Sequence, residues 1–134
     1  MNRAKTAEFL ADCLRHIPTQ PDEVKVVIGG LTRIAEGGEW PEGEAKAAAD
    51  AAANAAYWAA ARAADRDAAA AYAASRAAFW AESTSPSPTK TAFWATNSAA
   101  NTAVWAAKAH PDPAKERARQ AKVREKLGLN TEGA

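Results

Sequence analysis

The 134-residue chain has one cysteine, two histidines, three phenylalanines and one methionine, and each scarcity excludes something. A single thiol, Cys13, cannot build an internal disulfide framework and suits a reducing compartment. His16 and His110 each sit beside a helix-ending proline, and neither has a metal-ligand partner at helical spacing. There is no Gly-rich phosphate loop, no nucleophile elbow and no Cys/His cluster. Asp65-Arg66-Asp67 falls short of a metal site and reads as a solvated corner. These absences point away from an enzyme and imply no cofactor. No apolar run approaches the roughly 20 residues that span a bilayer, and the N-terminal residues lack the apolar core of a secretory signal. A cytoplasmic protein is expected.

Charge of either sign is also not in excess. The formal net charge is +1, which makes no general case for a nucleic-acid or membrane partner. The halves differ, however: residues 1–82 carry nine basic and twelve acidic side chains, residues 83–134 eight and four. Bulky aliphatics are few. Sixteen residues are Leu, Ile, Val or Phe, below the roughly one-fifth share that accompanies a packed core. Alanine fills the gap; it is the best helix former, but a methyl group buries little area at about 25 cal/mol per Å². The five Trp and two Tyr must therefore supply much of the burial, roughly 150–250 Å² each. A chain so poor in large aliphatics also gains by self-association, and a homo-oligomer is expected.

What is present is an alanine field, residues 45–109, in which one phrase recurs: Ala56-Tyr57-Trp58-Ala59, Ala78-Phe79-Trp80-Ala81, Ala92-Phe93-Trp94-Ala95 and Ala103-Val104-Trp105-Ala106. Four residues before each Trp stands a polar residue: Asn54, Arg76, Lys90 or Asn101. Trp94 and Trp105 are three turns of an 11-residue repeat apart and share a face. Trp58 and Trp80 would share one too if their helix is unbroken.

The remaining punctuation is helical. Residues 4–17 put Ala4, Ala7, Leu10, Ala11, Leu14 and Ile17 on one face, before Pro18 and Pro21. Asp22 and Glu23 open a second helix carrying Val24, Val27, Ile28, Leu31 and Ile34, stopped at Gly37-Gly38. A rival hairpin about Gly29-Gly30 has no further strand to pair with. A long helix is expected over 43–64, and 68–82 either continues it or packs back on it. Ser83–Pro88 is a loop, with Ser87 and Pro88 starting a helix to about Ala109. Asp112 and Pro113 start the last helix, 113–127, and Gly128 ends it. The expected fold is a single all-α domain over 1–134. It comprises an N-terminal helical pair (1–38), an Ala/Trp-rich antiparallel hairpin (43–109), a basic C-terminal helix (113–127) and a loose tail (128–134), about five helices in all.

Large rings at helical period are usually core. The alternative starts from their neighbours: Asn54, Arg62 and Arg76 lie one turn from Trp58 or Trp80, and Asn101 one turn from Trp105. Aromatic faces beside Arg and Asn can stack a planar base and hold phosphate or carbonyl groups. The candidate ligand-binding residues are therefore Asn54, Tyr57, Trp58, Arg62, Arg76, Trp80, Trp94, Asn101 and Trp105. The last helix carries Lys115, Arg117, Arg119, Lys122, Arg124 and Lys126 against Glu116 and Glu125. It reads as a solvated helix docked through Ala118, Ala121, Val123 and Leu127, with contact to nucleic acid as the second option. Thr91 and Thr102 are also spaced as in helical ice-binding proteins, but the adjacent bulky rings spoil a flat face.

The alanine field followed by the run 115–129 resembles a loose family of small bacterial and phage proteins. In these, Ala/Tyr/Trp-rich helices precede a tail of Glu-Arg, Gln and Leu-Arg character. Glu116-Arg117 and Gln120 match that tail, and Val123-Arg124 stands for its Leu-Arg. Some members are labelled immunity proteins. The resemblance implies a conflict-related accessory protein, phage-encoded or bacterial, that binds a host protein or a small signalling molecule. It supplies no catalytic residues.

Overall fold

A computed structural model describes residues 2–84 and 92–129, with the side chains of Ala92, Phe93, Trp94 and Thr96 outside that description. The expected cap at Ser87, Pro88, Lys90 and the tail from Asn130 lie outside it as well. The described chain is all-α: α1 (Arg3–Arg15), α2 (Asp22–Ala35), α3 (Glu42–Ala61), α4 (Asp65–Ser83), α5 (Ala92–Lys108) and α6 (Pro113–Lys126). There are six helices among the described residues, rather than about five.

The additional helix comes from a break that no glycine or proline announces. The α3 helix stops in a Schellman turn: Ala64 N donates to Ala59 O at 2.8 Å and Ala63 N to Ala60 O at 2.9 Å, and Ala63 takes φ +60°. That left-handed position usually goes to glycine, as it does at Gly37 and Gly128, which end α2 and α6 at φ +88° and +75°. The α4 helix then returns along α3 with Asp65 and Asp67 in its first turn, where carboxylates oppose the positive end of the dipole.

The packing of α3 on α4 is alanine against alanine. Ala45, Ala49, Ala52, Ala56 and Ala59 on α3 and Ala70, Ala73, Ala74 and Ala77 on α4 are all buried. Methyl side chains let backbones come close, and the buried Ser75 hydroxyl spans the gap to donate to Ala49 O at 3.0 Å. The α4 helix is buried on nearly every side from Ala69 to Ser83, as expected of a helix without a polar face. On its far side runs α5, antiparallel, because Tyr72 meets Trp105 and Arg76 meets Ser98.

The larger side chains gather where α1 and α2 cross α4. Leu10, Leu14, Val24, Val27 and Leu31 have no exposed surface. Asn2 caps α1 by accepting from Lys5 N at 3.0 Å. The α2 helix runs unbroken through Gly29-Gly30, which removes the hairpin alternative. Gly30 has a packing reason: a Cβ there would lie 2.6 Å from Trp40 Cε3 and closer still to Cδ2 and Cε2. The Trp40 indole thus lies flat against the α2 backbone and is buried. No helix of the described residues is long and apolar enough to cross a membrane.

Candidate functional site

Of the proposed ligand-binding side chains, three converge. Asn54, Trp58 and Arg62 stand on successive turns of α3 and line an open cleft of about 660 Å³. Its opposite wall is the α1–α2 connection, Thr19 to Pro21, with Glu23 at the start of α2 and Asp67 on α4. The cleft lies where the second half of α3 passes the start of α2. Gln20 is fixed there, its amide nitrogen donating to Arg15 O at 2.7 Å and Ile17 O at 3.2 Å. Trp58 is 56% exposed, and its neighbour Tyr57, edge-on at 5.4 Å, is 67% exposed. The side chains of Asn54 and Arg62 make no hydrogen bond or ion pair among the described residues, so both are available to a ligand.

The other candidates lie elsewhere. A shared Trp58–Trp80 face required an unbroken helix, and the turn at residues 62–64 separates them. Trp80 is 0% exposed, with the Arg3 guanidinium 5.8 Å from its ring centre; it is core and offers a ligand no surface. Arg76 is spent internally, donating to Ser98 Oγ at 3.1 Å and lying 4.9 Å over the Phe79 ring. Trp105 is half-buried, its ring edge-on to Tyr72 at 4.8 Å and covered by Lys108 Nζ at 4.1 Å. Asn101, also half-buried, sits on that side of α5. Trp94 lies on α5, and its side chain is outside the described residues. The two-helix aromatic pocket is thus replaced by one cleft on α3.

A second constellation was missed. The α6 helix docks through Glu116 and Gln120, which are buried, with Val123 and Leu127 half-buried, while Ala118 and Ala121 face solvent. The expected docking face is correct at Val123 and Leu127 and wrong at Ala118 and Ala121, because a polar cluster rather than alanine anchors the first half of the helix. Arg119 grips Glu116 with a two-pronged fork, Nε to Oε1 at 2.8 Å and an Nη to Oε2 at 2.7 Å. Its other Nη reaches Asp12 on α1 at 2.7 Å. Gln120 donates to Ala103 O on α5 at 3.0 Å. One guanidinium thereby ties α6 to α1, and one amide ties it to α5. The sequence signal was Glu116, Arg119 and Gln120 at i, i+3 and i+4, which reads equally well as a solvated face.

Burial alone pushes the Glu116 carboxyl up, but the Arg119 fork and its charge, with Gln120 and His110, hold it below the usual carboxylate range. Arg119 is held more firmly protonated than a free arginine, first by the Glu116 bonds. His110, whose Nε2 is 3.7 Å from Glu116 Oε2, has its pKa lowered by burial and the Arg119 charge against the pull of Glu116. Cys13 is fully buried, and burial drives its thiol far above the ordinary range. It is an inert small hydrophobe.

The described residues define an all-α protein with an aromatic cleft on α3 and a polar cross-brace under α6. Among the described residues no group of three or more His, Cys, Asp or Glu side chains could hold a metal ion. Comparison with protein-family models, with characterised proteins and with solved structures finds no match.

Proposed function

We propose that this chain is a non-enzymatic binding protein that captures a planar, nucleotide-like small molecule in the Trp58 cleft. The observation that carries the reading is the Trp58 indole, 56% exposed beside an unengaged amide and an unengaged guanidinium in a cleft of ligand size. An exposed indole face stacks a heterocycle at roughly 1–3 kcal/mol per base. Asn54 supplies both a donor and an acceptor for the heterocycle's edge, and Arg62 one cation for a phosphate. Glu23 and Asp67 on the rim repel further negative charge, so the cleft favours a nucleoside or monophosphate over a triphosphate. The resemblance of the alanine field and its tail to conflict-associated small proteins supports sequestration, in a bacterial or phage-infected cytoplasm, as the purpose of such binding.

Masking a protein partner is the second reading, favoured by the exposed apolar side chains Tyr57, at 67%, and Val26, at 59%. The nucleic-acid reading has less support, since Arg119 is committed to carboxylates and Arg124 lies 4.9 Å over Phe9. The test is thermal stability with added nucleoside monophosphates. A ligand at 100 times its Kd adds about 2.7 kcal/mol. The gain should vanish in Trp58→Ala and Arg62→Ala and persist in Trp105→Ala. No gain with any nucleoside, mono- or triphosphate contradicts the proposal.

A further inference from the structure

We infer that the Trp58 cleft selects guanine, its half-buried wall accepting hydrogen bonds from the ring N–H and the 2-amino group of the base. The inference rests on the ligand reading above and names the base. It starts from Gln20, whose side-chain nitrogen donates to Arg15 O at 2.7 Å and to Ile17 O at 3.2 Å. Carbonyl oxygens only accept, so the amide cannot be turned round without setting oxygen against oxygen. Both of its hydrogens are thereby committed, and the amide oxygen is what Gln20 has left to offer the cleft that it lines. Glu23, three residues further on, and Asp67 line the same cleft. Neither carboxylate makes a hydrogen bond or ion pair among the described residues, and an ionised carboxylate only accepts. All three acceptors are half-buried, whereas Asn54, Trp58 and Arg62 are exposed.

This difference in burial orients a nucleotide. The base stacks on Trp58 with its edge toward the acceptors, and the phosphate stays with the exposed Arg62. A wall of acceptors calls for an edge of donors. Adenine and cytosine each present an amine beside a ring nitrogen whose lone pair a carboxylate repels. Uracil presents one N–H between two carbonyls. Guanine alone of the four common bases presents two adjacent donors, N1–H and the 2-amino group, which one carboxylate can take in parallel. Glu23 makes that contact, and the Gln20 oxygen on the same side of the cleft takes the second amine hydrogen. The guanine O6 is left to the Asn54 amide. A base that lacks these donors leaves half-buried acceptors unpaired, and that cost is the source of the selectivity.

The test is calorimetric titration of the full chain with the monophosphates of guanosine, inosine, adenosine, cytidine and uridine, which share one phosphate and differ in the base. The guanosine compound should bind about tenfold or more tightly than the inosine one, which lacks only the 2-amino group, and than the other three. Glu23→Gln removes a negative charge that opposes every phosphate alike, so the quantity to read is a ratio of affinities. The preference for guanosine over adenosine monophosphate should fall about tenfold in that variant, while Trp58→Ala should weaken all five ligands together. Equal affinity for the guanosine and inosine compounds, or a preference for any other base, overturns the inference and leaves the cleft as a general nucleotide site. A guanosine-to-adenosine ratio that Glu23→Gln leaves unchanged overturns it as well. Binding of none of the five removes both this inference and the ligand reading beneath it.

Discussion

Two adjacent glycines in α2 give opposite predictions. In a helix interior each costs roughly 0.5–1 kcal/mol relative to alanine. Gly29 is exposed, and a Cβ there meets nothing within 4 Å. Gly29→Ala should therefore recover that amount and raise stability by about 0.5–1 kcal/mol. Gly30→Ala recovers the same propensity but drives a methyl into the Trp40 indole, whose Cδ2, Cε2 and Cε3 all lie inside contact distance. The obstacle is a rigid ring, itself buried, so it cannot yield as a flexible chain end would. Overpacking of this kind costs about 1–3 kcal/mol, rising toward the 3–5 kcal/mol of a lost core aromatic if the indole is expelled. Net destabilisation of about 1–4 kcal/mol follows. At roughly 3–4 °C per kcal/mol for a chain of this size, the two variants should melt about 10 °C apart on opposite sides of the parent. Thermal unfolding followed by circular dichroism measures both midpoints. A Gly30→Ala protein as stable as Gly29→Ala would refute the account of how Trp40 packs on α2.

Other outcomes follow from the turn and the cross-brace. Ala63→Gly should stabilise the chain by about 1 kcal/mol, because alanine at φ +60° bears a left-handed penalty that glycine lacks; chemical denaturation reads this directly. Arg119→Ala strands the buried Glu116 carboxylate and should cost about 3 kcal/mol. Adding Glu116→Gln to it should restore part of that loss, as a double-mutant cycle would show. Stability should fall in two steps on acidification. His110 has a lowered pKa, so between its ordinary and depressed values the unfolded chain binds the extra proton and stability drops as pH falls below about 6.5. Glu116, also lowered, contributes stability that is complete above about 4.5 and disappears as pH falls below it. Urea midpoints measured against pH should lose the upper step in His110→Gln and keep the lower.

The all-helical class was legible because alanine dominates 45–109 and proline, glycine and acidic residues punctuate the rest. The α3–α4 break was legible only as one of two alternatives, marked by Asp65-Arg66-Asp67, since its left-handed residue is Ala63 and nothing in an alanine run marks one methyl group as different. The separation of the Trp rings followed from that single turn: with the helix reversed, Trp58 and Trp80 cannot share a face. Half of the α6 docking face, at Ala118 and Ala121, was misassigned for another reason. Glu116 and Gln120 are buried because Arg119 and Ala103 O meet them, and the Asp12 carboxylate that holds Arg119 in place lies 107 residues away in the chain, which leaves no local trace. Asn54, Trp58 and Arg62 were legible together because their spacing of about four residues keeps them on one side of a helix whatever it packs against.

The most direct test of that α3 cleft is a nucleoside monophosphate titration of the dilute protein followed through its tryptophan indole N–H resonances, assigned by Trp→Phe variants. The account predicts that the Trp58 signal shifts with saturation while the buried Trp40 and Trp80 and the half-buried Trp105 hold their positions, and that Arg62→Ala suppresses the shift. A shift at Trp105 or Trp80 with Trp58 unmoved would contradict it.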